Sequence, residues 1–135
     1  MSKPFAVLVL VALGITTCAA QTTIPVRSAV KHIGETVTVC EKVFSGRLLR
    51  ASNTTLLDIG GYHPNQPLLV VIEGRDRSKF KGNPLFDYDG KDILVTGKVV
   101  LYKGKPGIII QNPNRLKLVM IDNDRILQPM PIKKE

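Results

Sequence analysis

The sequence predicts a mainly β protein, a small five-stranded barrel with one short helix between strands three and four. Three observations carry this. Apolar residues from Gln21 onward fall in short runs separated by turn chemistry, with no helical periodicity longer than about two turns. The stretch Glu35 to Val43 alternates with period two, and Asp92 to Tyr102 is a long strand pattern interrupted by Gly97. At 135 residues and 44% hydrophobic content the chain holds one domain with enough apolar material for one core.

In the first strand Val37, Val39 and Val43 share one face and Thr36, Thr38, Cys40 and Lys42 the other, so one side looks inward and one outward. Polar Arg47 to Thr54 reads as a loop. Thr55 to Ile59 is the second strand, closed by Gly60-Gly61, and the two prolines between Tyr62 and Pro67 mark a connection. Leu68 to Ile72 is a nearly continuous apolar third strand. Arg75 to Phe80 then has the length of one or two helical turns before Gly82-Asn83-Pro84 stops it, and it is the only internal helix expected. Asp89-Gly90-Lys91 turns into the fourth strand, where Gly97 predicts a bulge or sharp bend. Lys103 to Gly107 is a hairpin connection, and Ile108 to Ile110 returns antiparallel before Asn112-Pro113. A long, strongly bent strand of this kind closes a small barrel without open edges. Leu116 to Met120 could extend the sheet.

Residues 1–20 read as a secretory signal peptide: Lys3 supplies the positive end, Phe5 to Leu13 is uninterrupted and apolar, and Cys18-Ala19-Ala20 offers small residues for cleavage. The apolar run is shorter than the roughly 20 residues that span a bilayer, so no transmembrane helix is expected. Ile15-Thr16-Thr17-Cys18 resembles a bacterial lipobox, which would make Cys18 a lipidated first residue. Thr17 stands where a small Gly, Ala or Ser is usual, so cleavage after Ala20 is favoured. Either route predicts an exported protein, periplasmic or secreted, free or lipid-anchored. The expected organisation is a signal peptide over 1–20, the domain over 21–116 and a C-terminal extension over 117–135, to which no site is assigned.

The chain carries 19 Lys and Arg against 11 Asp and Glu, a formal charge of +8. Lys3 is the only charged side chain in residues 1–20, so the rest keeps +7 and the basic character belongs to the domain. Such a balance favours anionic partners. Two cysteines rule out a disulfide-dense scaffold and a four-cysteine zinc site. After cleavage Cys40 would be left alone, and a lone thiol in an exported protein is expected to be buried as a small apolar residue.

The segments Ile33-Gly34-Glu35-Thr36-Val37-Thr38-Val39-Cys40-Glu41-Lys42-Val43, Gly90-Lys91-Asp92-Ile93-Leu94-Val95-Thr96-Gly97-Lys98-Val99 and Tyr102-Lys103-Gly104-Lys105-Pro106-Gly107-Ile108 resemble those of OB-fold nucleic-acid-binding domains, especially small exported bacterial ones. The resemblance covers about Val30 to Leu116 and implies a five-stranded Greek-key barrel. It implies a binding module whose ligand is single-stranded DNA, RNA, an oligosaccharide or a protein. Two positions depart from the pattern. Gly107 follows the hairpin proline where a polar residue is common, removing a hydrogen-bond donor, and Glu41 places an acid before Lys42-Val43.

Binding single-stranded nucleic acid requires cations along the phosphates and flat side chains on which bases stack. The candidates are Lys42 on the outer face of strand one, Arg47 and Arg50 in the first loop, and Lys98, Lys103 and Lys105 around the last hairpin, with Phe44, Tyr62 and Tyr102 as stacking residues. The competing reading makes the cations a solvated surface and the aromatics caps on the barrel ends. The dense basic run Arg75 to Lys81 is assigned to surface, with Phe80 as the plug of the barrel end.

No catalytic set or cofactor is expected. His32 and His63 lack metal-type spacing, no serine sits in a nucleophile-elbow pattern, and Asp87, Asp89 and Asp92 read as turn residues beside Gly90 rather than as a cation site. The preferred expectation is an exported non-catalytic module for single-stranded nucleic acid with little sequence preference. The alternative is a module for an envelope protein or oligosaccharide, and a divergent nuclease ranks last.

Overall fold

The computed structural model describes residues 22–119. The expected signal peptide, Cys18 and the end of the C-terminal extension lie outside them. Among the described residues no helix is long and apolar enough to cross a membrane.

Among the described residues seven strands form: β1 (Thr22–Thr23), β2 (Thr36–Leu49), β3 (Thr54–Ile59), β4 (Leu68–Ile72), β5 (Asp92–Tyr102), β6 (Lys105–Ile109) and β7 (Leu116–Leu118). Five of them close a ring. β2 pairs antiparallel with β3, β3 with β4, β4 runs parallel to β6, β6 pairs antiparallel with β5, and β5 returns antiparallel to β2. β1 and β7 extend the sheet beside β2 and β5. The predicted five-stranded barrel is therefore present, with two short strands added at its flank. The last of these runs to Leu118, past the boundary expected at 116.

The barrel closes because β2 and β5 each serve two partners. β2 gives residues 36–42 to β5 and residues 43–49 to β3, and the register shifts between Val43 and Ser45, leaving Phe44 unpaired. That bulge sits in β2, whereas the sequence placed the irregularity at Gly97. β5 runs through Gly97 in unbroken register with β2 and passes to β6 between Lys98 and Val99. Gly97 is required for space, since a Cβ there would lie 2.6 Å from Ile108 Cγ2.

The inward alternation holds: Val37, Val39 and Val43 of β2 and Ile93, Val95 and Val99 of β5 meet Leu57, Ile59, Leu68, Val70, Ile72 and Ile108 in one core. Phe80 joins this core at the barrel end, as its plug role predicts. The opposite parity puts Cys40 outside, so the thiol is exposed rather than buried.

Four other elements correct the expected layout. β2 continues to Leu49, which shrinks the first loop to Arg50–Asn53 and places Arg47 on the strand. The single helix is two short ones, α1 (Gly74–Arg77) and α2 (Pro84–Asp87). Asn83-Pro84 starts the second, because the Asn83 side chain accepts from the Leu85 amide and Pro84 fits the first helical position. A 3-10 helix, Val26–His32, precedes the barrel and buries Val26 and Ala29. The last hairpin turns on Lys103 and Gly104 alone, both at positive φ, so Lys105 to Gly107 belong to β6.

Candidate nucleic-acid interface

The ring of the unpaired, half-buried Phe44 meets that of Tyr62 edge to face, with centroids 5.1 Å apart and planes at 82°. Lys42 Nζ stands 5.5 Å from the Phe44 centroid. Tyr62 is 65% exposed. It reaches Phe44 because Gly60, at φ +80°, folds the chain back beneath Val26 and Pro67, where a Cβ would meet each at 2.9 Å. Lys105 Nζ donates to the Pro64 carbonyl of the same loop, which ties β6 to it. Lys42, Phe44 and Tyr62 thus stand together on the outer surface, with Lys105 tied to the loop that carries Tyr62.

Arg47 is not free to serve a ligand in the same way. Asp58 projects from β3 to the outer side yet is buried; it accepts from Ser45 Oγ at 2.8 Å and from Gln66 Nε2 at 2.9 Å. Arg47 Nη1 lies 3.6 Å from the same carboxylate, offsetting its charge. Gln66 Nε2 also lies 3.2 Å from His63 Nδ1. Sequence reasoning missed this network, although an aspartate in the apolar run Thr54 to Ile59 was a visible signal.

Tyr102 is placed differently from Tyr62. On the outer face of β3 and β4, Leu56, Leu69 and Val71 are buried by the protein's own side chains, with Leu49, Tyr102 and Ile109 packed against them. Tyr102 is half-buried, as Phe44 is, and its side chain covers this second apolar cluster. Gly107 makes the cover fit, since a Cβ at 107 would approach Tyr102 Cβ to 3.0 Å. The departure from the family pattern at 107 is therefore a packing requirement. Lys103 Nζ rests 5.6 Å from the Tyr102 centroid. Beside the hairpin tip a cleft of about 440 Å³ is lined by Ser52, Thr54, Glu73, Arg75, Tyr102 and Lys103. Arg50 is exposed in the loop that supplies Ser52.

Lys98 leaves the group to which it was assigned. It is paired with Thr36 across β2 and β5 and lines a different cleft with Arg115. The basic run after β4 is spent locally: Arg75 and Lys79 face Asp76, and Arg77 donates to Asn53 and Asn83. Glu41 turns back to its neighbour's amide, accepting from Lys42 N at 2.9 Å. Among the described residues no three His, Cys, Asp or Glu side chains converge on a metal-sized site.

No protein-family model matches the sequence, and no curated protein matches it. Solved structures do. The chain is similar to one in the crystal structure of yeast Stn1 and Ten1, with a TM-score of 0.50 and 14% identity over 78% of this chain and 66% of that one. Together with the ring β2-β3-β4-β6-β5, this decides the fold. The chain has the OB-fold. More distant likenesses are to a chain assigned as an aspartyl-tRNA synthetase from Leishmania major Friedlin (TM-score 0.48, 12% identity, 80% of this chain and 22% of that one). Another is to the N-terminal domain of PriB from Thermoanaerobacter tencongensis (TM-score 0.39, 16% identity, 63% and 96%). The OB-fold chain therefore spans about a fifth of the synthetase and two thirds of the yeast protein. In this OB-fold Lys42, Phe44 and Tyr62 sit where β2 changes partner, and Tyr102 and Lys103 sit at the tip of the last hairpin.

Proposed function

We propose that this OB-fold protein is an exported, non-catalytic module that binds single-stranded nucleic acid with little sequence preference. The observation that carries the reading is the Lys42–Phe44–Tyr62 group, an exposed Tyr62 against a half-buried Phe44 with a cation beside it. Every base has a π-face, so stacking on Tyr62 and Phe44 is tolerant of sequence, while Lys42 answers the phosphate. The pairing of Asp58 with Arg47, Ser45 and Gln66 supports the same reading, because it holds the carboxylate on that side out of a polyanion's way.

Fluorescence anisotropy of the chain from Gln21 with a labelled single-stranded oligonucleotide tests it. Binding should weaken as salt rises, since displaced counterions return to the strand. Absence of binding at low salt removes the reading and turns attention to an envelope protein or glycan. The export half of the proposal is tested by intact mass of the protein recovered from the cell envelope. A chain beginning at Gln21 supports plain cleavage, a lipidated Cys18 supports anchoring, and a retained Met1 overturns export.

A further inference from the structure

The outer face of β5 and β7 carries a second cationic surface, built from residues that the platform does not use. Lys98 and Thr96 project outward from β5, Thr36 and Thr38 lie opposite them on β2, and Lys117 lies opposite Leu94 on β7. Arg115, just before β7, divides two clefts. One, of about 410 Å³, is lined by Thr36, Thr96, Lys98, Gln111, Asn112 and Arg115. The other, of about 190 Å³, is lined by Thr38, Thr96, Asn114, Arg115 and Lys117 together with Leu94.

The chemistry of this face is one-sided. Three cations, threonine hydroxyls and side-chain amides line the two clefts, and no carboxylate lines either one. Lys98, Arg115 and Lys117 make no ion pair among the described residues, whereas Arg47, Arg75 and Lys79 each do. Alternate residues of β2 connect the face to the platform, since Thr36, Thr38, Cys40 and Lys42 share one side. At about 3.4 Å per residue, Thr36 to Lys42 spans roughly 20 Å.

We propose that this face is a second anion-binding surface, which carries the phosphates of the same single strand beyond the Lys42–Phe44–Tyr62 platform. It rests on the nucleic-acid reading and extends it: short strands engage the platform alone, and longer ones engage both.

The test uses oligothymidines of about 6 and about 16 nucleotides, within the range of site sizes per OB-fold. They are titrated against the wild type, the triple variant Lys98→Ala/Arg115→Ala/Lys117→Ala, and a control triple Lys31→Ala/Lys81→Ala/Lys91→Ala of equal charge. The first triple should bind the short strand as the wild type does. It should bind the long strand more weakly, with the slope of log affinity against log salt reduced by about 2, from roughly 0.7 per lost phosphate contact. The control should change neither. Equal loss in both triples assigns the effect to general charge and overturns the proposal, as does an unchanged long-strand slope. If the wild type binds neither strand, the nucleic-acid reading itself fails. If it binds the short strand and gains nothing with length, only the second surface fails.

Discussion

Ile108 fills the space that a side chain on Gly97 would need, with its Cγ2 2.6 Å from the position of a Cβ there. The contact lies where β5 leaves β2 for β6, so the closure of the barrel depends on a residue without a side chain meeting a β-branched one. Gly97→Ala should therefore cost about 1–3 kcal/mol, the usual range for overpacking a filled core. In urea denaturation the midpoint should fall with an unchanged slope. Removing that Cγ2 with Ile108→Ala in the same chain should make the two losses less than additive, because the contact is then absent. An unaltered midpoint for Gly97→Ala would show that the strand crossing has slack.

Asp58 offers a second test of stability, because its partners are donors that need it. Asp58→Ala would leave Ser45 Oγ and Gln66 Nε2 without their acceptor and Arg47 without its counter-charge. The expected cost is about 1–3 kcal/mol for stranding buried polar groups. By contrast, Arg47→Ala should reduce oligonucleotide affinity less than Lys42→Ala does, since Arg47 is already engaged. A thermal melt and an anisotropy titration on the same variants separate the two effects.

Tyr88 gives the fold an alkaline sensitivity. Burial raises its phenol above the ordinary value of 10.0, and the charge of Asp87 raises it further. The folded state therefore holds the phenolic proton more tightly than the unfolded chain does. That contribution is full below pH 10 and is lost as pH climbs from there through the raised value. The lysines titrate in the same region, so the measurement is a difference. Between pH 9 and pH 11 the wild type should lose more stability than Tyr88→Phe, and parallel losses would contradict the assignment.

What the sequence made legible follows from what a single strand reveals of itself. Val37, Val39 and Val43 on one side and Cys40 and Lys42 on the other are fixed by parity, and the run Leu68 to Ile72 is apolar because both its faces are covered. The second of those covers could not be read locally. It depends on Tyr102 and Leu49 coming from strands distant in sequence, which is why Tyr102 read as a stacking residue and its cover over that cluster was missed. The bulge escaped for a related reason. Phe44 sits in an unbroken β pattern, and only the change of partner from β5 to β3 leaves it unpaired. Arg47 appeared to be loop because Ser45 to Arg50 mixes polar residues, glycine and leucines, yet its pairing with Leu56 holds it in the strand. Arg115 and Lys117 were passed over because their neighbours on β5 are twenty residues earlier.

The two tyrosines now make opposite predictions, and this contrast tests the proposed interface most directly. Tyr62 is exposed and stacked edge-on against Phe44, so Tyr62→Ala should leave the melting temperature nearly unchanged and weaken oligonucleotide binding by about 1–3 kcal/mol, the range for loss of one stacked base. Tyr102 covers Leu56, Leu69 and Val71, so Tyr102→Ala should lower the melting temperature first. Its effect on affinity should be smaller once the comparison is made well below the transition. Tyr102→Phe keeps the covering ring and should restore stability. If Tyr102→Ala abolishes binding while Tyr62→Ala leaves it intact, the strand lies over the hairpin tip and Ser52, and the platform at Phe44 is not its seat.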